Sequence, residues 1–155
     1  MCSKLELKVP PPLVMLLLMG TVFLFDRLLP FQIFYIPTLT VTLSIMFVVL
    51  GAVISLSGVR EFKRAQTTVN PLKPENSSSL VDSGIYQYTR NPMYLGFLLI
   101  LISSVIYTQH PLGLVSALLF VTYMNRYQIE PEERALVKIF GDEFKLYAEQ
   151  VNRWF

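Results

Sequence analysis

The stretch that decides the fold is Ile36–Val59, which reads IPTLTVTLSIMFVVLGAVISLSGV and contains no charged residue. A helix needs about 20 residues to cross the hydrocarbon layer of a bilayer, so this stretch is long enough to span a membrane with some tilt. The rest of the chain has a similar character, since 53% of its 155 residues are hydrophobic and 15% are charged. Because few water-soluble domains are this apolar, we expect an all-α integral membrane protein.

A second apolar block lies before this stretch. Lys4 and Lys8 precede the apolar residues Leu13–Phe25, an order that also occurs in signal peptides. No small-x-small cleavage pattern follows the block. We therefore expect a retained transmembrane helix from about Pro12 to Leu29.

The chain becomes polar after the long apolar stretch. It runs into the charged residues Arg60–Arg64, and we expect the helix to end before Asn70. Residues 67–82 are rich in Pro, Asn, Ser, Lys and Glu, a composition typical of an exposed loop. The segment Gly84–Tyr94 is then dense in tyrosine, and Pro92 suits the first turn of a following helix.

Two shorter apolar blocks follow, Tyr94–Tyr107 and Leu112–Met124, with His110-Pro111 as a break between them. This order predicts an antiparallel helical hairpin. Each block is shorter than a full span and needs flanking polar residues or a thinner bilayer to cross. The hairpin would bring the segment before Tyr94 and the segment after Met124 to the same depth. We expect about four transmembrane helices in total.

The last part of the chain is amphipathic. After Glu130–Glu133, apolar residues recur at spacings of three or four up to Val151, and Gly141 divides the stretch in two. Such spacing predicts a helix with one apolar face. That face alone favours a helix lying on the membrane surface.

The basic residues indicate an orientation. The chain has 13 Lys and Arg residues. With four spans, twelve of them would lie on one side of the membrane and only Arg27 on the other. Because cytoplasmic loops are enriched in Lys and Arg, we expect a multi-pass protein of a bacterial inner membrane with both termini in the cytoplasm. The net charge of +2 is too small to suggest nucleic acid, and basic residues beside apolar blocks suit contacts with lipid headgroups.

The chain lacks the residues that several common kinds of catalytic and binding site require. The chain has one histidine, His110, and one cysteine, Cys2. A zinc site, a Ser-His-Asp set and an intramolecular disulfide are therefore not expected, and the chain has no Gly-rich phosphate loop. We predict no metal site.

The remaining polar residues form a cluster that allows more than one interpretation. Tyr86, Tyr88 and Tyr94 suit an aromatic belt at the membrane interface and a binding site equally well. Arg90 on its own usually indicates a headgroup contact. The acids Glu130, Glu132 and Glu133 could simply begin a helix, because carboxylates stabilise its positive N-terminal end.

Three separated motifs resemble those of the isoprenylcysteine carboxyl methyltransferases and the related phospholipid methyltransferases. They are Leu80–Tyr86, Arg90–Gly96, and Glu132-Glu133 followed by Phe140–Phe144. The resemblance covers the chain from Thr67 onward. It implies a helical membrane core and a cytoplasmic C-terminal part that together enclose S-adenosylmethionine, with a methyl acceptor that enters from the lipid.

The resemblance also implies the cofactor contacts. The matching positions are Ser78, Ser79, Leu80, Val81, Tyr86, Asn91, Pro92, Met93, Tyr94 and Glu132. Methyl transfer is an in-line displacement that needs alignment more than proton transfer, so a missing catalytic histidine is no objection. No residue is assigned a catalytic role.

Two positions differ from the eukaryotic carboxyl methyltransferases. Those enzymes have His in place of Asn91 and an acceptor-binding Arg in place of Gln128. Asn91 can still donate and accept hydrogen bonds. Arg126, about half a turn away, is with Gln128 the candidate for contacting the acceptor.

The sequence thus predicts one methyltransferase-like domain over residues 1–155. Residues 1–66 would hold two spans, and residues 67–155 the cofactor-binding loop, the hairpin and the C-terminal helix. The expected reaction moves a methyl group from S-adenosylmethionine to a prenylcysteine-type carboxylate, a phospholipid amine or a thiol. Two alternatives stay open: an NADPH-dependent membrane reductase related to sterol reductases, and a membrane scaffold without a cofactor.

Overall fold

The computed structural model describes residues 6–29, 36–67 and 77–155, and the regular secondary structure in these ranges is helical. The predicted all-α class is therefore confirmed for this part of the chain. The helices are α1 (Pro11–Leu28), α2 (Pro37–Arg64), α3 (Pro92–Thr108), α4 (Gly113–Met124), α5 (Glu130–Phe140) and α6 (Asp142–Gln150). A 3₁₀ turn covers Gly84–Gln87, and a π-helical segment, Asn125–Ile129, joins α4 to α5.

The first turns of four helices, α1, α2, α3 and α5, contain proline. Proline suits this position because its missing N–H would have no partner there anyway. The prediction for Pro92 is thus confirmed. Helix α2 ends at Arg64, which agrees with the expected end before Asn70, a residue outside the described ranges.

Two of the described helices, α1 and α2, are long and apolar enough to cross a membrane. Helix α3 has 17 residues and α4 has 12, so the predicted four spans are corrected to two candidate spans. Of the flanking residues expected to lengthen the hairpin helices, Thr108 belongs to α3, but the extension stops there. Gln109 adopts a left-handed conformation (φ 51°) that ends α3, and α4 gives way to the π-helical segment at Asn125.

The outer faces of α1 and α2 are apolar. Only 22% of the residues in the apolar window of α1, and 17% in that of α2, are buried inside the protein. Their exposed side chains include Leu16, Leu17, Ile45, Val49 and Leu56. An exposed apolar surface of this extent needs a lipid or protein partner.

Hydrogen bonds tie the helices together at both ends of the bundle. At one end His110 Nδ1 accepts from the Leu112 N–H (3.3 Å), which leaves the proton on Nε2 for donation to the Leu29 carbonyl (2.8 Å). At the other end the Leu7 N–H donates to the Tyr127 carbonyl (3.0 Å). Helices α3 and α4 therefore form the predicted hairpin. The second end, which also holds α5, α6 and residues 77–91, is called the polar end below.

Helices α2 and α3 approach closely through small residues. A Cβ on Gly96 would lie 2.1 Å from Ser55 Oγ and 2.4 Å from the Gly51 carbonyl oxygen, so only glycine fits there. Small residues at a helix crossing let the two backbones come together. The Ser55 hydroxyl also donates to the Met93 carbonyl (3.1 Å). These contacts fix the first turn of α3, which carries part of the tyrosine-rich motif.

Candidate functional site

A cleft of about 800 Å³, including its open mouth, lies at the polar end. Its walls come from the end of α2, residues 77–94, the segment entering α5, and helices α5 and α6. Eight of the predicted cofactor contacts line it: Ser79, Leu80, Val81, Tyr86, Asn91, Met93, Tyr94 and Glu132. The other two do not. Pro92 is fully buried at the start of α3, and Ser78 is exposed, with its N–H donating to Thr67 Oγ1 (2.9 Å).

The 3₁₀ turn is fastened to the end of α2 by Glu61. This carboxylate is 8% exposed and accepts from the Ser83 hydroxyl (3.1 Å). Gly84 has a φ of +59°, and a Cβ there would lie 2.7 Å from Glu61 Cδ, so both the backbone and the space require glycine. The turn thereby places Tyr86 edge-on against Phe62, with ring centroids 5.4 Å apart. Part of the predicted loop, residues 67–82, lines the cleft next to this turn through Ser77, Ser79, Leu80 and Val81.

Glu132 meets Tyr94 across the cleft. The Tyr94 hydroxyl donates a hydrogen bond to Glu132 Oε1. Burial raises the pKa of Glu132 to about 8; the hydrogen bond from Tyr94 opposes this rise, and the neighbouring Glu133 adds to it. A carboxyl held in this state favours a cationic ligand, because a nearby positive charge stabilises its ionised form.

Glu133 has a different environment from its neighbour. It accepts from Arg90 Nη2 at Oε1 (2.7 Å) and from Arg153 Nη2 at Oε2 (2.5 Å). Burial alone would raise the pKa of Glu133, but these two guanidinium groups outweigh it and lower the pKa below its usual value. Glu133 therefore stays ionised and holds structure together, which leaves Glu132 as the acid available to a ligand.

The helix-start interpretation accounts for only part of the acidic cluster. Helix α5 does begin at Glu130, and that side chain pairs with exposed Arg126 (2.8 Å) away from the cleft. Glu132 and Glu133 instead line the cleft. A helix start would not require this orientation.

The comparisons with known proteins bear on the same residues. The chain matches the phospholipid methyltransferase family over residues 39–143, which include α2, the cleft-lining segment 77–94 and α5. The chain belongs to this family. The resemblance seen in its motifs is thereby confirmed.

Individual relatives agree at modest identity. The protein-S-isoprenylcysteine O-methyltransferase of Schizosaccharomyces pombe is 31% identical over 78% of this chain and 51% of its own length. That of Saccharomyces cerevisiae is 27% identical over 84% of this chain and 54% of its own length. An uncharacterised Haemophilus influenzae protein is 37% identical over 40% of this chain and 98% of its own length. The chain spans about half the length of the two yeast relatives. No solved structure matches it.

The two predicted acceptor contacts lie outside the cleft of this family member. Arg126 is exposed and paired with Glu130. Gln128 is completely buried, and its Nε2 donates to the Val9 carbonyl (2.7 Å). Both belong to the π-helical segment, where the wider turn changes the direction in which successive side chains point. The half-turn separation expected between Arg126 and Gln128 on an α-helix therefore does not apply here, and their role towards the acceptor stays a prediction.

The cleft also contains residues that the sequence did not assign to cofactor contact. They are Phe62, Ser77, Arg90, Ile129, Glu133, Leu136, Phe144 and Tyr147. Three of these, Leu136, Phe144 and Tyr147, form part of the apolar face predicted for the C-terminal helix. That helix breaks at Gly141 as predicted, and the Tyr147 hydroxyl donates to the Tyr86 carbonyl (2.7 Å). The spacing of three or four residues thus predicted the apolar face of this helix. The sequence did not indicate that the face lines the cleft as well as any membrane surface.

Proposed function

We propose that the protein is a membrane methyltransferase that transfers the methyl group of S-adenosylmethionine to a lipidic or small apolar acceptor. The observation that carries this proposal is Glu132, a shielded carboxyl that faces a tyrosine-lined cleft. S-adenosylmethionine has an ammonium group, a cationic sulfonium, ribose hydroxyls and an adenine ring. A carboxylate can bind the ammonium or the hydroxyls, and aromatic walls can hold the ring and the sulfonium.

The lining of the cleft also suits such a ligand. Small-molecule sites combine apolar walls with a few well-placed polar groups. Here Val81 and Met93 provide apolar walls, and Glu132 provides a polar group. Tyr86 and Tyr94 are each 4% exposed, so their rings are held firmly and can exclude water from the bound ligand.

The proposed reaction asks little acid–base chemistry of the protein. Bound S-adenosylmethionine would supply the methyl group and its leaving group. The residues of the chain would bind it, orient it towards the acceptor and exclude water, which is where alignment lowers the barrier. The two yeast relatives are protein-S-isoprenylcysteine O-methyltransferases, which supports the same class of reaction here.

We also propose that α1 and α2 cross the bilayer with the polar end in the cytoplasm. The basic residues support this orientation, because among those in the described ranges only Arg27 lies near the opposite end, beside Leu29. The cleft then opens at headgroup depth, where a lipidic acceptor can reach it sideways. A prenylcysteine-type carboxylate, a phospholipid amine and a thiol are the candidate acceptors.

Equilibrium binding to the detergent-purified protein tests the cofactor. We expect saturable binding of labelled S-adenosylmethionine, weakened by about 1–3 kcal/mol in Glu132→Gln because a charge-assisted hydrogen bond is lost. Glu130→Gln is the matched control and should change the affinity little, since Glu130 lies outside the cleft. Saturable binding of NADPH instead would indicate the reductase, and binding of neither ligand would refute a cofactor site.

A further inference from the structure

The motif stretch between the 3₁₀ turn and α3 depends on a distant part of the chain for its hydrogen bonds. The Arg90 N–H donates to the Asn152 carbonyl (3.0 Å). The Arg153 carbonyl accepts from both the Thr89 hydroxyl (3.1 Å) and the Asn91 amide (3.0 Å). Thr89 and Asn91 are 3% and 9% exposed, so water is a poor substitute partner. Residues 152–153 therefore hold one wall of the cleft.

The side chain of Arg153 reaches the wall of the cleft that α5 forms. Arg153 donates from Nε to Glu133 Oε1 (3.0 Å) and from Nη2 to Glu133 Oε2 (2.5 Å). Two parallel bonds of this kind fix the carboxylate in orientation as well as in distance. Glu133 is adjacent to Glu132 on α5, so an arginine that fixes the first also limits how the second can turn.

The next residue anchors this arrangement to the bundle. Trp154 Nε1 donates to Asn125 Oδ1 (3.0 Å) at the start of the π-helical segment, and its ring packs against the core. Arg153 and Trp154 both lie beyond residues 39–143, the part that matches the family. Neither of them lines the cleft. Any influence on a ligand must therefore act through the two walls.

We propose that Arg153 is a positioning residue, which sets the separation of the Asn91 wall and the Glu132 wall for binding of S-adenosylmethionine. This inference rests on the proposed function for the identity of the ligand. Its geometric part, that one residue couples the two walls, stands on the hydrogen bonds alone. The tests below address the two parts separately.

The first test compares affinities for S-adenosylmethionine. We expect Arg153→Ala to weaken binding by about tenfold, as for the loss of one charge-assisted pair. Arg153→Lys should recover part of the loss, because an ammonium restores the charge but not the two parallel bonds. Arg134→Ala is the control. Arg134 lies on α5, as Glu133 does, and forms an ion pair with Glu6 (2.6 Å) outside the cleft. Glu133 keeps Arg90 in every variant, so we expect all of them to fold.

The second test needs no ligand. Hydrogen exchange followed by mass spectrometry should show faster exchange in Arg153→Ala for the peptides that contain Thr89–Leu95 and Glu130–Leu136. Arg134→Ala, which lies inside the second peptide, should leave the exchange of the first peptide unchanged. If the wild type binds no S-adenosylmethionine but both peptides loosen, the proposed function fails and the coupling stands. If the wild type binds and Arg153→Ala matches Arg134→Ala in affinity and exchange, the coupling is refuted. Equal losses of affinity in Arg153→Lys and Arg153→Ala would refute the role of the guanidinium charge.

Discussion

Replacing Glu132 by glutamine should stabilise the ligand-free protein at alkaline pH. Burial raises the pKa of Glu132 from 4.5 to about 8, so the folded state keeps its proton while the unfolded chain loses it. The contribution of Glu132 to wild-type stability is therefore fully present below pH 4.5 and is lost as the pH rises through about 8. At about 1.4 kcal/mol per pH unit, the full cost at pH 9 is on the order of 5 kcal/mol. Relaxation of the protein and entry of water on ionisation reduce such costs, so we expect about 2–3 kcal/mol.

Glutamine removes this cost because it carries no charge and can still accept the hydrogen bond from Tyr94. The gain should appear as a melting temperature about 5–10 °C above that of the wild type at pH 9, and as little difference at pH 5. Trp154, the single tryptophan, provides the fluorescence signal in detergent. Groups common to both proteins cancel in the comparison, and Glu130→Gln shows what loss of an exposed acid does. An equal difference at pH 5 and pH 9, or no gain at pH 9, would refute a costly buried carboxylate.

Three further predictions concern topology, packing and the acceptor. A thiol placed at exposed Ser78 in a Cys2→Ser background should react with a membrane-impermeant reagent only after the cells are opened. Labelling of intact cells would show that the polar end faces outwards and would refute the proposed orientation. Gly96→Ala should lower the free energy of unfolding by about 1–3 kcal/mol, because the new Cβ overpacks against Ser55. Gly20→Ala is the control: nothing lies within 4 Å of its new Cβ, so the same unfolding measurement should show a neutral or stabilising effect. Methylation assays with acceptors of increasing tail length should show falling Michaelis constants, since each buried methylene contributes roughly 0.8 kcal/mol; equal rates for short and long acceptors would exclude entry from the lipid.

Local signals predicted the helices well. Proline at the first turn marked α3, the apolar stretch after Ile36 marked α2, and Gly141 marked the break between α5 and α6. These features depend on neighbours in the chain, and sequence patterns record such neighbours directly. The span count was wrong because the two short apolar blocks were expected to be lengthened by their flanking residues, but α3 ends at Gln109 and α4 gives way to a π-helical segment at Asn125.

The candidate site was predicted as a set of positions but not as a set of contacts. Three motifs indicated Tyr94 and Glu132, yet nothing in the sequence predicted that they touch. The contacts of Arg153 leave no periodic pattern, because they join residues at separations that no helix or strand sets. The roles of Gln128 and Arg126 towards the acceptor stay predictions, and sequence counting did not show that both would lie in a widened turn outside the cleft.

The π-helical segment Asn125–Ile129 lets the chain absorb a change of length at this point. Its wider turn holds more residues than a turn of the α-helices on either side. In a uniform α-helix of 3.6 residues per turn, losing one residue would swing everything that follows by about 100° around the helix axis. Losing one residue from the wide turn would instead leave an ordinary α-helix, and Glu132 would keep nearly its present direction towards the cleft. Among homologues, a one-residue gap in this short stretch is therefore compatible with an unchanged site.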